Sequence, residues 1–211
     1  MSEHIFNRAA LLPGMGISRM TPTNISKGIV LRTQGLRVLM SGTGLSHDAK
    51  LIRTGNSWYV GDMLMGKPGQ LTPLEQWEED MDQRGVRAIV HRAIGATDEQ
   101  LAASAWYWQT HFPGRVMYDE KGIKQLLFFY ATAELLRVKL GDENQAWCTE
   151  SCKEADVNGA GFNPYRKSGG RDKLNPTPGT TRKRIVGPWK TLDVVHDAFT
   201  DYGRRFAVDL A

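Results

Sequence analysis

The chain has 211 residues, of which 41% are hydrophobic and 24% charged, with a formal net charge of +4 and a pI near 9.1. That is room for one sizeable domain with its own core and the composition of an ordinary globular protein, and no run approaches the roughly 20 apolar residues that span a bilayer. Two cysteines exclude a disulfide framework, and the mild basic excess is compatible with a polyanionic partner without singling one out.

In chain order, "MSEHIFNRAALLPGMG" lacks the basic-then-apolar order of a secretory signal because Glu3 and Asn7 interrupt it, so synthesis in the cytoplasm is expected. Residues 1–26 hold Pro13, Gly14, Gly16 and Pro22 without a sustained period and read as an arm. "KGIVLRT" and "RVLMS" are short apolar runs with β-branched residues and predict strands. "DAKLIRT" and "SWYVGDMLM" predict a hairpin turning at Gly55-Asn56. "LTPLEQWEEDMDQRG" places Leu74, Trp77 and Met81 at helical spacing behind Pro73, and "VRAIVHRA" alternates as a strand.

Thr97 and Gln100 form a capping box that opens a helix running to about Phe112. "EKGIKQLLFFYATAELLRVKLG" predicts a further helix or pair of helices stopped by Gly141, and "AWCTESCKEADVNG" another ending near Gly159 or Gly161. Residues 162–188, rich in Gly, Pro, Lys and Arg, read as a long loop. Leu192, Val195, Phe199 and Phe206 share one helical face and predict a C-terminal helix. Strands precede helices, which points to an α+β fold with an antiparallel sheet packed against helices.

Both cysteines lie in "AWCTESCKEA", one helical turn apart. A disulfide between Cys148 and Cys152 is disfavoured, because side chains four apart on a helix run parallel and do not converge. A zinc site built on Cys148, Cys152 and His47 lacks a second tight ligand pair. Cys148 begins the helical pattern, where unpaired backbone N–H groups and the positive end of the dipole favour the thiolate; Cys152 lies a turn deeper, where that effect has decayed. The two thiols are therefore unequal, and both a reactive and a merely packed Cys148 stay open. His47 stands at the start of a predicted strand in "LSHDAKLI", and Asp62 in "YVGDM" falls on its hairpin partner. A hairpin can bring such an acid beside a histidine, where it orients the ring and stabilises the imidazolium. Taken singly, each is also an ordinary turn or edge residue.

Together "KGIVLRT", "LSHDAKLI", "YVGDM", "LTPLEQW", "VRAIVHRA", "FPGRVMYD" and "AWCTESCKEA", in that order, resemble the circularly permuted branch of the papain-like cell-wall peptidases, the permuted NlpC-type hydrolases, with lecithin–retinol acyltransferase-like enzymes as relatives. The resemblance covers about residues 27–180, and "WCTES" is its most specific piece. The sequence departs from the pattern at Lys27-Gly28-Ile29-Val30, which lacks an Asp after Gly. It departs again at Asp48-Ala49, where an apolar residue and Gly are usual, and in a long segment before Cys148 that suggests a helical insertion at about 120–140.

The resemblance implies a permuted papain-like domain over 27–180, between an arm (1–26) and a helical extension (181–211). It implies Cys148 as nucleophile and, through its backbone N–H, an oxyanion donor, with His47 as general base then acid and Asp62 as the group that orients it. Tyr118 and Trp147 become the side chains expected at the substrate cleft, with Trp147 also suited to anchoring the helix start. Glu150, two residues past Cys148, faces away and is expected in an ion pair. His91, His111 and His196 match no position in the pattern. No cofactor is implied. The implied substrate is an amide bond, foremost in peptidoglycan stem peptides, with lipid or N-acyl amides next. A non-enzymatic virion or tail component retaining the scaffold is the alternative, attached to a larger assembly through residues 1–26 and the C-terminal helix; delivery to the cell envelope is compatible with either. Nucleic-acid binding through the basic loop rests on charge alone.

Overall fold

The computed structural model describes residues 5–20, 23–40, 44–84, 87–136, 138–142, 144–166, 175–186 and 190–198. The strands are β1 (Gly16–Met20), β2 (His47–Thr54), β3 (Ser57–Asp62), β4 (Gln70–Pro73), β5 (Arg87–Ala93), β6 (Met117–Tyr118), β7 (Gln145–Ala146) and β8 (Leu192–Ala198). The helices are α1 (Asn24–Gln34), α2 (Leu36–Met40), α3 (Leu74–Arg84), α4 (Asp98–His111), α5 (Glu120–Leu136), α6 (Cys148–Glu154) and α7 (Pro178–Val186), with a 3-10 turn at Arg8–Ala10 and a π turn at Ala155–Gly159. Six strands form one sheet in the order β4-β3-β2-β1-β5-β8, antiparallel at every pairing, and β6 and β7 pair in parallel apart from it. The fold is α+β, as the order of elements predicts.

The alternation of β2 sorts the interior into two cores. Ala49 and Leu51 join Val60, Trp58, Leu74, Trp77 and Phe6 on one side of the sheet. Ile52, on the opposite pleat, joins Trp108, Phe112, Ile123, Leu126 and Trp147 from α4, α5 and the α6 start. The β2–β3 hairpin turns at Gly55-Asn56 as expected, Gly55 supplying a φ of +60°. The Thr97 capping box closes α4 in both directions, with Gln100 N–H donating to Thr97 Oγ1 at 3.2 Å and Thr97 N–H to Gln100 Oε1 at 3.0 Å.

Five local readings are corrected. The run expected as a strand from Lys27 is α1: Thr23 caps it, and Ser26, Ile29, Val30 and Thr33 bury at helical spacing. The next run, read as a strand from Arg37, is the short helix α2. The supposed arm contains β1, a central strand whose five residues are all buried between β2 and β5. A strand covered on both faces has no alternation to read. Gly16 is required there, since a Cβ would meet the His91 ring at 2.1 Å. Downstream, 178–186 is helix α7, not loop, and its Arg184 is buried, donating to the Tyr165 carbonyl. Finally, Leu192–Ala198 form β8 on the open edge of β5 instead of a helix. Phe199 and Phe206, half of the helical face predicted there, lie outside the described residues.

Candidate active site

The site begins with a short parallel pairing. Tyr118 is in register with Ala146, so "GRVMYD" lies beside the strand that leads through Trp147 into Cys148. Asp119 locks that junction: its carboxylate accepts from Gly122 N–H at 2.6 Å and Asp142 N–H at 2.9 Å, and its own N–H donates to the Ala146 carbonyl at 3.2 Å. Gly141 has a φ of +88°, and a Cβ there would meet Asp119 Oδ2 at 1.8 Å, so only glycine fits. The Trp147 indole N–H donates to the Pro176 carbonyl at 2.6 Å. Trp147 is fully buried, which corrects its assignment to the cleft: it anchors the start of α6.

Cys148 is the first residue of α6, where the first-turn N–H groups have no intrahelical acceptor. His47 is the first residue of β2, and Asp62 the last of β3. His47 Nε2 and Asp62 Oδ1 are hydrogen bonded, and Cys148 acts electrostatically on the same ring. Burial would lower the His47 pKa, but the charge of Asp62 and that of a Cys148 thiolate outweigh it and raise it to about 10. Burial acts to raise Asp62, yet His47, with smaller help from Arg19 and the Trp77 indole, holds its carboxyl below the usual carboxylate range. The structure thus brings Cys148, His47 and Asp62 together, with His47 in the middle.

Tyr118 is buried, and burial together with the negative charge of Cys148 and Asp62 pushes its phenol well above 10, so it stays protonated beside them. Cys152 is buried a turn below, and burial raises its thiol well above 9. Both cysteines are free thiols. Glu150 is paired with Lys139 at 3.2 Å; burial nonetheless raises its carboxyl to about 7, and its Oε2 is buried without a partner. Among the described residues, the remaining histidines have partners of their own: His111 stacks on Tyr107, His196 accepts from Asn7 N–H, and His91 meets Ser18 Oγ at 3.0 Å.

Sequence reasoning passed over a buried polar lattice behind the site. Asp48, next to His47, accepts from Ser18 Oγ, from Thr149 Oγ1 next to Cys148, and from Thr181 Oγ1 on α7. Two residues on, Lys50 Nζ pairs with Asp156 of the π turn and donates to the Gly14 carbonyl, while Ser104 Oγ donates to Asp156 at 2.8 Å. Asp48 and Lys50 alternate with Ala49 and Leu51 in "HDAKLI". Both pleats of β2 are buried because packed elements cover both faces of the sheet there, and no local signal in the sequence announces that.

No protein-family model matches the chain, and no curated protein matches it. Among solved structures, the chain is similar to the metalloprotein yiiX from Escherichia coli O157:H7, a DUF1105 protein, with a TM-score of 0.51 and 19% identity over 91% of this chain and 90% of that one. At that identity the likeness concerns the fold. Among the described residues, no three His, Cys, Asp or Glu side chains converge as a metal-ligand set.

Proposed function

We propose that the chain is a cysteine hydrolase of the permuted papain-like type that cleaves an amide bond, foremost in peptidoglycan stem peptides. The observation that carries this reading is the single His47 ring bonded to the Asp62 carboxylate and interacting with the Cys148 sulfur at a helix N-terminus. The choice of stem peptides rests on the motif resemblance alone.

In the proposed reaction His47, whose pKa is raised to about 10, acts as the imidazolium and Cys148 attacks as the thiolate. The thiolate forms a C–S bond to the scissile carbonyl, and the oxyanion accepts from the Cys148 backbone N–H. His47 then gives its proton to the leaving nitrogen as the C–N bond breaks, leaving a thioester. Water attacks that thioester while His47 takes one of its protons, and C–S cleavage returns the thiolate and a free carboxyl group. Asp62 remains ionised throughout and fixes the ring.

Digestion of muropeptides with the wild-type chain and Cys148→Ala, read by mass spectrometry, tests the reading. Wild type is expected to release a product with a new carboxyl and amine terminus, and Cys148→Ala none. Iodoacetamide at about pH 6–7 is expected to label Cys148 well ahead of Cys152. Equal, slow labelling of both thiols would overturn the enzymatic reading in favour of a retained, inactive scaffold.

A further inference from the structure

The helices α1, α2 and α5 carry an apolar surface that the hydrolase reading leaves unused. Leu31, Leu36, Met40, Phe128, Phe129 and Leu136 are each between 49% and 72% exposed. On α5 the exposed positions Lys121, Lys124, Phe128, Thr132 and Leu136 recur every three or four residues, a stripe along one face. The helices meet: Arg32 Nη2 donates to the Phe128 carbonyl at 3.0 Å, and Gly28 lies against Leu127. The Phe128 and Phe129 rings sit 6.3 Å apart, tilted at 52°. Large apolar side chains gathered on one surface mark an interaction site.

Charge says what kind. Lys27, Arg32, Arg37, Lys121 and Lys124 are all exposed among these apolar groups. Helices α1 and α2 contain no Asp or Glu, and α5 contains two, Glu120 at its first residue and Glu134. Aromatic and aliphatic side chains among lysines and arginines form the pattern of an element lying in a membrane interface, apolar groups at the acyl boundary and cations at anionic headgroups. No described helix is long and apolar enough to cross a membrane, so the geometry is that of a surface laid on the bilayer. We infer that the α1–α2–α5 face docks the protein reversibly onto an anionic lipid bilayer. Because α5 starts two residues after Tyr118, docking would hold the Cys148 site close to the lipid surface.

The test is co-sedimentation of the full chain with vesicles of phosphatidylcholine alone and of phosphatidylcholine with about one-third phosphatidylglycerol. Wild type is expected to bind the anionic vesicles at low salt at least tenfold more tightly than the neutral ones, and to release as salt rises. The doubly substituted Phe128→Ser/Phe129→Ser chain is expected to lose at least tenfold in affinity, and Lys27→Glu/Arg37→Glu to lose the preference for anionic lipid. Circular dichroism checks that each variant is folded, and Leu36→Ser/Met40→Ser serves as the apolar variant should the phenylalanine pair not fold. Absence of vesicle binding, or binding unchanged in the folded apolar variants, would overturn the inference. So would a wild-type dimer that ignores vesicles and becomes monomeric on Phe128→Ser/Phe129→Ser, which would make this face a contact between two copies. Muropeptide hydrolysis is read separately, so either result leaves the catalytic reading to its own assay.

Discussion

His47 carries the chemistry proposed for the site, and two opposing effects set its charge. Burial favours the neutral ring, while the Asp62 carboxylate and the Cys148 thiolate favour the cation and prevail, giving a pKa of about 10 against 6.5 for an isolated ring. The sign follows from linkage: the stabilisation from imidazolium is complete below pH 6.5 and is lost as pH rises through about 10. Hydrolysis is therefore expected to fall on an alkaline limb near pH 10. Asp62→Asn keeps the shape of the side chain but removes its charge. It is expected to lower kcat by about 100- to 10,000-fold and to move that limb toward neutral pH. A pH–rate profile of wild type and variant checks both, and a merely structural Asp62 would leave the limb in place.

Elements differ in how far their signals are local. The α4 cap is closed by residues three apart, so Thr97→Ala is expected to cost about 1 kcal/mol and to lower the urea midpoint, with Thr97→Ser recovering most of the loss. The same locality made the capping box, the Gly55-Asn56 hairpin and the start of α6 at Cys148 legible in the sequence. The strand β1 and the edge strand β8 were not. β1 is extended because β2 and β5 pair with it, Ile17 and Ser18 are buried because both faces of the sheet are covered there, and Val194 is extended because β5 offers its edge; none of these conditions lies within a window of neighbouring residues. In α1, Thr23 and the spacing of Ser26, Ile29, Val30 and Thr33 did carry a helical signal, masked by the β-branched look of "GIV".

Across the whole molecule, the buried lattice ties the layers together. Lys50 of β2 spans to Asp156 after α6, and Ser104 of α4 shares that carboxylate. Lys50→Met would leave Asp156 buried without its cation, and is expected to cost about 3–5 kcal/mol in urea unfolding. Lys50→Met/Asp156→Leu is expected to recover most of that loss, since it removes both charges. His91 adds an acid limit. Burial, aided by the nearby Lys50 charge, lowers its pKa to about 3, so the folded chain holds it neutral while the unfolded chain protonates it near 6.5. Its contribution to stability is present above pH 6.5 and is lost as pH falls toward 3, to be followed by urea midpoints across that range.

By itself the sequence determined what short-range hydrogen bonding and φ preferences decide: the α4 cap, the β2–β3 hairpin and a cysteine at a helix start. It also placed His47 and Asp62 on paired strands, because fifteen residues across a tight turn admit few other arrangements. Only the tertiary structure decided that "GISRM" is a central strand, that Thr149 and Thr181 converge on Asp48 from 101 and 133 residues away, and that α1 packs against α5 with leucine and phenylalanine side chains left exposed on both. Burial and pairing depend on which segments meet in space, and a hydroxyl or a lysine reads as solvated until its distant partner is known.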